Sequence, residues 1–214
     1  MIPVMVVPIL TRPELLQRML DTIDYSIEHL VIIDNGGVVD RVVTRKVENV
    51  HILNMPSNLG VAGSWNLGIK CLPFAPWWLV ANFDLEWPAG SLDRFAQQAN
   101  QDIVLLAEAQ PPWCAFTVGA NVVDRVGLFD ESFHPAYFED DDYGWRCHHA
   151  GMQVVQSDIA VTHSNSSTVA EPRYKERNLL TFGNNAQYHH AKQAAGDLGE
   201  GRWSLTRRRV NSWD

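Results

Sequence analysis

Val4 to Leu10 is a short apolar run that stops at Thr11-Arg12-Pro13, and from Glu14 to Ile23 apolar residues return at helical spacing as Leu15, Leu16, Met19, Leu20 and Ile23. That pattern reads as strand, turn, helix. Thr11 is the expected cap, Pro13 sits in the first turn where a missing N–H is tolerated, and Glu14 is favoured by the helix dipole. Leu30 to Ile33 forms a second buried strand ending at the loop signal Asp34-Asn35-Gly36-Gly37, and Val50 to Leu53 a third. A helix is expected over Val61 to Cys71, after the Asn58-Leu59-Gly60 turn. Trp77 to Ala81 is a fourth strand, closed by Asn82-Phe83-Asp84 and Trp87-Pro88. Strands alternating with helices predict an α/β/α sandwich around a mostly parallel sheet. Ligands of such sheets bind beyond the carboxyl ends of the strands, so Thr11, Asp34, Asn58 and Asp84 should gather along one edge.

Past Gln110-Pro111-Pro112 the texture changes, and aromatic residues, glycine and acids mix. Trp113 to Gly119 predicts a strand, Asn121 to Val126 a short helix, and Tyr143 to Ala150 a helix opened by Glu139-Asp140-Asp141-Asp142. Val154-Val155 and Ile159 to Thr162 are short strands leading to His163, and an amphipathic segment follows over Asn178 to Lys192. One domain is expected in two halves, 1–110 and a smaller region 111–190, with a tail over 191–214.

Composition narrows the classes. Of 214 residues, 46% are hydrophobic and 20% charged, which supports a sizeable core and excludes intrinsic disorder. Seventeen Lys and Arg against 25 Asp and Glu give a net charge of −8, which argues against nonspecific nucleic-acid binding. No apolar run approaches the roughly 20 residues that span a bilayer, so no integral membrane segment is expected. Met1 to Leu10 carries Pro3 and Pro8 without the features of a signal peptide. Cys71, Cys114 and Cys147, an odd number without a CxxC pair, fit reduced thiols in a cytoplasmic protein.

Three features could carry chemistry: Asp84 with Glu86, the acidic run 139–142, and His163. A carboxylate and an imidazole from distant segments can hold a divalent cation with coordination sites left open for phosphate oxygens. Each alone has an ordinary structural explanation, an acidic run at a helix start being foremost a dipole feature. His148-His149 and His189-His190 lack comparable context and are read as helix-surface residues.

Gly127-Leu128-Phe129-Asp130-Glu131-Ser132-Phe133, then Tyr137 to Arg146 (YFEDDDYGWR) and Ala150-Gly151, resemble the GFDE, EDxD and AG segments of family 2 glycosyltransferases of GT-A fold. Asn58 to Gly68 (NLGVAGSWNLG) is similar to that family's NxGxxxxxNxG segment, Asn82-Phe83-Asp84 stands at its DxD triplet, and Val7-Pro8 and Ile33-Asp34-Asn35-Gly36 match its first two strand ends. The likeness, nearest the rhamnosyltransferase-like subgroup, runs in family order over residues 4–168. It implies an inverting transferase that moves a sugar from a nucleoside diphosphate (UDP, GDP or dTDP) to a hydroxyl of a glycan, protein or small molecule, with Mn²⁺ or Mg²⁺.

The resemblance also implies roles. Donor contacts fall on Pro8, Thr11, Asp34, Asn58, Gly60, Gly63, Asn82 and Phe83, acceptor contacts on Trp113 and Glu139, metal ligation on Asp84 and His163, and the general base on Asp140. Asn82 departs from the family, because an amide replaces the triplet's first acid and brings no charge. Asp141 and Asp142 are expected to serve the helix start or to pair with Arg146, four residues after Asp142. A nucleotidyltransferase would need a Gly-rich, basic N-terminal signature, for which Thr11-Arg12-Pro13 is a poor substitute. A degenerate binding module, or a homo-oligomer of either kind, is compatible with the same sequence, though Asp84, Asp140 and His163 together favour the enzyme.

Overall fold

The computed structural model describes residues 1–163 and 172–207, with side chains of 172–177 left aside. Its centre is a seven-stranded sheet in the order β3-β2-β1-β4-β7-β6-β8. The strands are β1 (Ile2–Ile9), β2 (Ile27–Asp34), β3 (Val47–Asn54), β4 (Trp77–Ala81), β6 (Ile103–Glu108), β7 (Ala115–Gly119) and β8 (Gln153–Ala160). A separate two-stranded ladder joins β5 (Leu85–Glu86) to β9 (Thr162–His163).

Strand alternation sorts the core into two layers. Met5, Val7 and Ile9 face α1 (Pro13–Asp21) and α3 (Ser91–Gln98), while Val4 and Val6 face α2 (Gly60–Cys71), α4 (Ala120–Val126) and α5 (Glu139–His149). Trp78, Phe116, Phe129 and Tyr143 fill the second layer and are fully buried. Helix α2 lies so close to β1 that a Cβ on Gly68 would come within 2.2 Å of Val6 Cγ1. A glycine is therefore required there. The longest helix, α6 (Pro172–Ala195), packs across α5 and the loop before it.

Two departures from the sequence reading shape the site. Thr11 does not cap α1: Arg12 stands at the N-cap with φ 60°, and the buried Thr11 hydroxyl has no partner among the described residues. The segment expected as one strand from Trp113 begins instead with a 3₁₀ turn over Pro112–Cys114, and β7 runs antiparallel to both β4 and β6. That reversal matters functionally. Because Ala81 pairs with Ala115, the residues preceding β7 arrive at the same edge as the ends of the parallel strands.

Strand β5, helix α3 and strand β6 were not foreseen, and the two strands expected over 154–162 are one continuous β8 followed by β9. Helix α5 begins four residues earlier than the apolar spacing suggests, so the acidic run forms its first turn. The described part of the C-terminal segment, as far as Arg207, packs on the domain. Trp203 accepts a bond from Leu128 N–H at 2.6 Å, and Arg207 donates to Pro73 O at 2.6 Å and pairs with Asp124. Arg208 and Arg209 lie outside the described residues, as does the 164–168 end of the motif likeness.

Candidate active site

The carboxyl edge of the sheet opens into a cavity of about 810 Å³. Its floor comes from the ends of β1 and β4, one side from the Asn58 to Val61 turn, and another from Trp113, Cys114 and the 134–141 segment. Asn178, Thr181 and Phe182 of α6 complete the wall.

At one end, three polar heads converge. His163 Nε2 lies 3.1 Å from Asp84 Oδ1 and 3.4 Å from the Asn82 side-chain amide. The β5/β9 ladder does this: Leu85 pairs with His163, so two antiparallel steps bring together residues 79 positions apart. Both Asp84 and His163 side chains are nearly buried, and His163 Nδ1 has no partner among the described residues. Glu86 points elsewhere, into an ion pair with Arg18.

The acidic run divides into distinct environments, because successive helix residues face directions about 100° apart. Glu139 and Asp140 line the cavity, and Asp141 is exposed at its rim. Asp142 turns inward, fully buried, and accepts from Arg146 Nε at 2.8 Å, the pairing expected from their spacing. Burial raises the Glu139 carboxyl well above the usual range, and the charges of Asp140 and Asp141 add to the effect. Its Oε2 is buried without a partner. Burial also raises Asp140, with Asp141 contributing repulsion. Cys114, in the cavity wall, is pushed up to about 12 by burial and then by Asp84, so it is an inert thiol rather than a nucleophile.

Ionising a buried acid costs folding energy. A carboxyl whose folded pKa exceeds its unfolded one binds more protons when folded, so its penalty vanishes below the unfolded value, near 4.3 for a glutamate, and grows as pH rises from there toward the folded one. Glu139→Gln is therefore expected to raise the melting temperature at pH 7 by about 2–4 °C, a gain that disappears at pH 4. Thermal melts at the two pH values check this.

The backbone entering α5 is strained. Tyr137 and Phe138 are consecutive non-glycine residues in the left-handed region, at φ 78° and 72°, which costs of order 1–3 kcal/mol each. Helix α6 holds them there. Asn185 Nδ2 donates to Ala136 O at 2.7 Å and to Tyr137 O at 3.2 Å, and Phe182 packs on both rings. Farther along α6, Lys192 Nζ bridges the fully buried Asp130 (2.7 Å) and Asp142 (2.6 Å). His189, expected on a helix surface, is instead buried and stacked on Phe138, and burial lowers its pKa.

Of the residues expected to meet a donor, Pro8, Asn58, Gly60, Asn82 and Phe83 line the cavity. Thr11, Asp34 and Gly63 stand outside its wall. Asp34 is fully buried, and its two carboxylate oxygens accept from Gly36 N–H at 3.1 Å and Val39 N–H at 2.8 Å, so it builds its own loop. Gly63 faces Leu59 and Glu131. The start of α2 offers fewer free donors than a phosphate cradle would. Leu59, Gly60 and Val61 N–H groups are taken by Asn35 Oδ1, Asn58 Oδ1 and Pro135 O. Gly60 is required twice over, for its φ of 74° and because a Cβ would lie 2.8 Å from Pro135 O.

The rest of the Asn58 to Gly68 motif is architectural. Asn66 donates to Phe129 O at 2.8 Å, accepts from Phe129 N–H at 2.9 Å, and donates to Glu131 Oε1 at 2.8 Å. It welds the first half of the chain to the second.

Sheet order, the antiparallel β7 and the acidic helix at the carboxyl edge define a GT-A fold, a mixed α/β architecture with a mostly parallel central sheet. No sequence-family profile and no curated protein matches the chain. Among solved structures, it is similar to the mannosyltransferase PcManGT of Pyrobaculum calidifontis, in complex with GDP-Man and Mn²⁺, at TM-score 0.56 and 13% identity over 72% of this chain. TarS of S. aureus in complex with UDP superposes at TM-score 0.56 and 13% identity over 75% of this chain. The catalytic domain of Drosophila beta1,4-galactosyltransferase 7, in complex with xylobiose, does so at 0.52 and 15% over 80%. The chain spans 54%, 60% and 71% of those three chains, respectively. No helix among the described residues is long and apolar enough to cross a membrane.

Proposed function

We propose that the chain is a glycosyltransferase that moves a sugar from a nucleoside diphosphate to an acceptor hydroxyl with inversion at the anomeric carbon. The observation that carries this reading is one cavity holding both the Asn82, Asp84 and His163 cluster and the Asp140 carboxylate. Its volume of about 810 Å³ suits a ligand the size of a sugar nucleotide. The structures it resembles are glycosyltransferases, two of them in complex with GDP-Man or UDP.

In this reading Asp140 takes the proton from the acceptor hydroxyl as its oxygen attacks the anomeric carbon, and the nucleoside diphosphate leaves from the opposite face. Asp84 and His163 are the cation ligands, with Asn82 a weaker third. One carboxylate, one imidazole and one amide are an oxygen and nitrogen donor set suited to Mn²⁺ or Mg²⁺. Two such residues would leave coordination positions open, to which a donor's phosphate oxygens are suited. The cation supplies positive charge for the departing diphosphate.

A thermal-shift series with UDP, GDP and dTDP tests the reading. Nucleotide with Mn²⁺ is expected to raise the melting temperature, and Mn²⁺ alone is not. Asp84→Ala should weaken nucleotide binding in Mn²⁺ at least about tenfold and leave binding in EDTA unaltered. If none of the nucleotides stabilises the protein, with or without the ion, the proposal fails.

A further inference from the structure

A second hollow, of about 290 Å³, opens beside Asp140. Trp113, Asp140 and Asp141 line both it and the larger cavity, so the two meet at the proposed base. From there the hollow follows one face of α5, since Asp141, Gly144, Trp145 and His148 recur at helical spacing, and it ends against Met152. Resting on the transferase reading, we propose that this hollow is an acceptor subsite for an oligosaccharide: the reacting sugar lies at Asp140 and the next sugar stacks on Trp145.

Its chemistry selects that class. A pyranose has an apolar C–H face and a rim of hydroxyls, and the hollow sets the indoles of Trp113 and Trp145 beside the hydrogen-bond acceptors Asp140 and Asp141. Among the described residues no Lys or Arg lines it, and two carboxylates repel phosphate or sulfate, so the acceptor it matches carries no anionic group near the reacting hydroxyl. The hollow is also far smaller than the main cavity, and so unsuited to a second nucleotide.

Two details indicate that the space is kept open. Trp145 is held by an edge contact with His149, ring centroids 4.8 Å apart. Gly144 occupies a helix interior where glycine is unfavourable, yet a Cβ there would meet Trp113 Cζ2 at 3.7 Å, an ordinary contact. Packing would accept a side chain at that position. The empty space it leaves is the floor of the hollow.

The experiment incubates the 214-residue chain, its Trp145→Ala variant and its Gly144→Gln variant with an array of defined uncharged oligosaccharides of one to four sugars, in parallel with the nucleotide thermal shift. Wild type is expected to bind at least one oligosaccharide of two or more sugars more tightly than the corresponding monosaccharide. Trp145→Ala should lose about tenfold in that affinity and Gly144→Gln should block it, each keeping the wild-type nucleotide response. An array without a bound oligosaccharide, or binding that survives both substitutions, overturns the subsite. Loss of the nucleotide response in the wild type overturns the transferase reading instead, so the two failures are separable. Gly144→Gln retains the indole and Trp145→Ala retains the helix backbone, so misfolding of either variant leaves the other to decide.

Discussion

Asp140→Asn is expected to lower sugar transfer by about 10²- to 10⁴-fold while nucleotide affinity stays at the wild-type level. The amide keeps the shape of the carboxylate and its bond to the Asp141 N–H (3.0 Å in the wild type), and it cannot take a proton. The loss should therefore fall on kcat. Four adjacent acids make the control essential, and the structure separates them. Asp142 is committed to Arg146 and Lys192, whereas Asp141 shares both hollows with Asp140. Asp141→Asn should retain most of the turnover but remove the nearest like charge, so the Asp140 pKa falls. A base works only when deprotonated, and a raised pKa places the acid limb of the rate profile above the ordinary aspartate range. In Asp141→Asn that limb should move to lower pH. Turnover retained in Asp140→Asn, or abolished in Asp141→Asn instead, would remove Asp140 from the role of base.

The parallel half of this site was legible because its signals are local. Apolar runs ending in Thr11-Arg12-Pro13, Asp34-Asn35-Gly36 and Asn82-Phe83-Asp84 mark strand ends, and a parallel sheet puts strand ends on one edge whatever the tertiary detail. Local signals lose their meaning where one residue type serves two purposes. Asp34 ends one buried strand and Asp84 follows another, but Asp34 has two loop N–H groups within reach and Asp84 has His163. Only the register of β5 on β9 distinguishes them, and a two-residue strand leaves no periodicity to detect. The reversal of β7 was likewise invisible, since a five-residue apolar run reads the same in either direction. The share taken by α6 was hidden for another reason. Asn185, His189 and Lys192 look like ordinary positions of a polar helix, and their burial arises from what the 130–142 segment places against them. The one available signal was Asp130, an acid set beside the apolar Leu128, Phe129 and Phe133, since a buried carboxylate needs a cation.

That cation is Lys192, and Lys192→Met should be the most damaging single substitution for stability in this region. Its ammonium is 2% exposed, lies 2.7 and 2.6 Å from two carboxylates with no exposure, and sits near the rings of Phe133 and Tyr188. Burial pushes the Asp130 pKa up, but the bonds from Lys192 and from Ser132 N–H outweigh it and hold the group below the ordinary range. Methionine fills the volume and leaves Asp130 with only Tyr188 and Ser132, and Asp142 with Arg146. Breaking a buried ionic cluster from one side costs about 3–5 kcal/mol, hence a melting point lower by roughly 10 °C. The sign of the pH dependence follows from Asp130. A depressed folded pKa contributes stability above the unfolded value, and that contribution is lost as pH falls through the folded one, so the gap between variant and wild type should narrow from pH 7 toward pH 3. Adding Asp130→Asn to Lys192→Met should recover part of the loss by removing one stranded charge. Activity should suffer beyond stability, because α6 also carries Asn185 and Phe182, which hold Tyr137 and Phe138 in their left-handed conformation just ahead of Asp140. Transfer assayed well below the variant's melting point should fall, with nucleotide affinity less affected. Equal melting curves for Lys192→Met and wild type at pH 7 would show that the cluster does not secure α6 to the acidic helix.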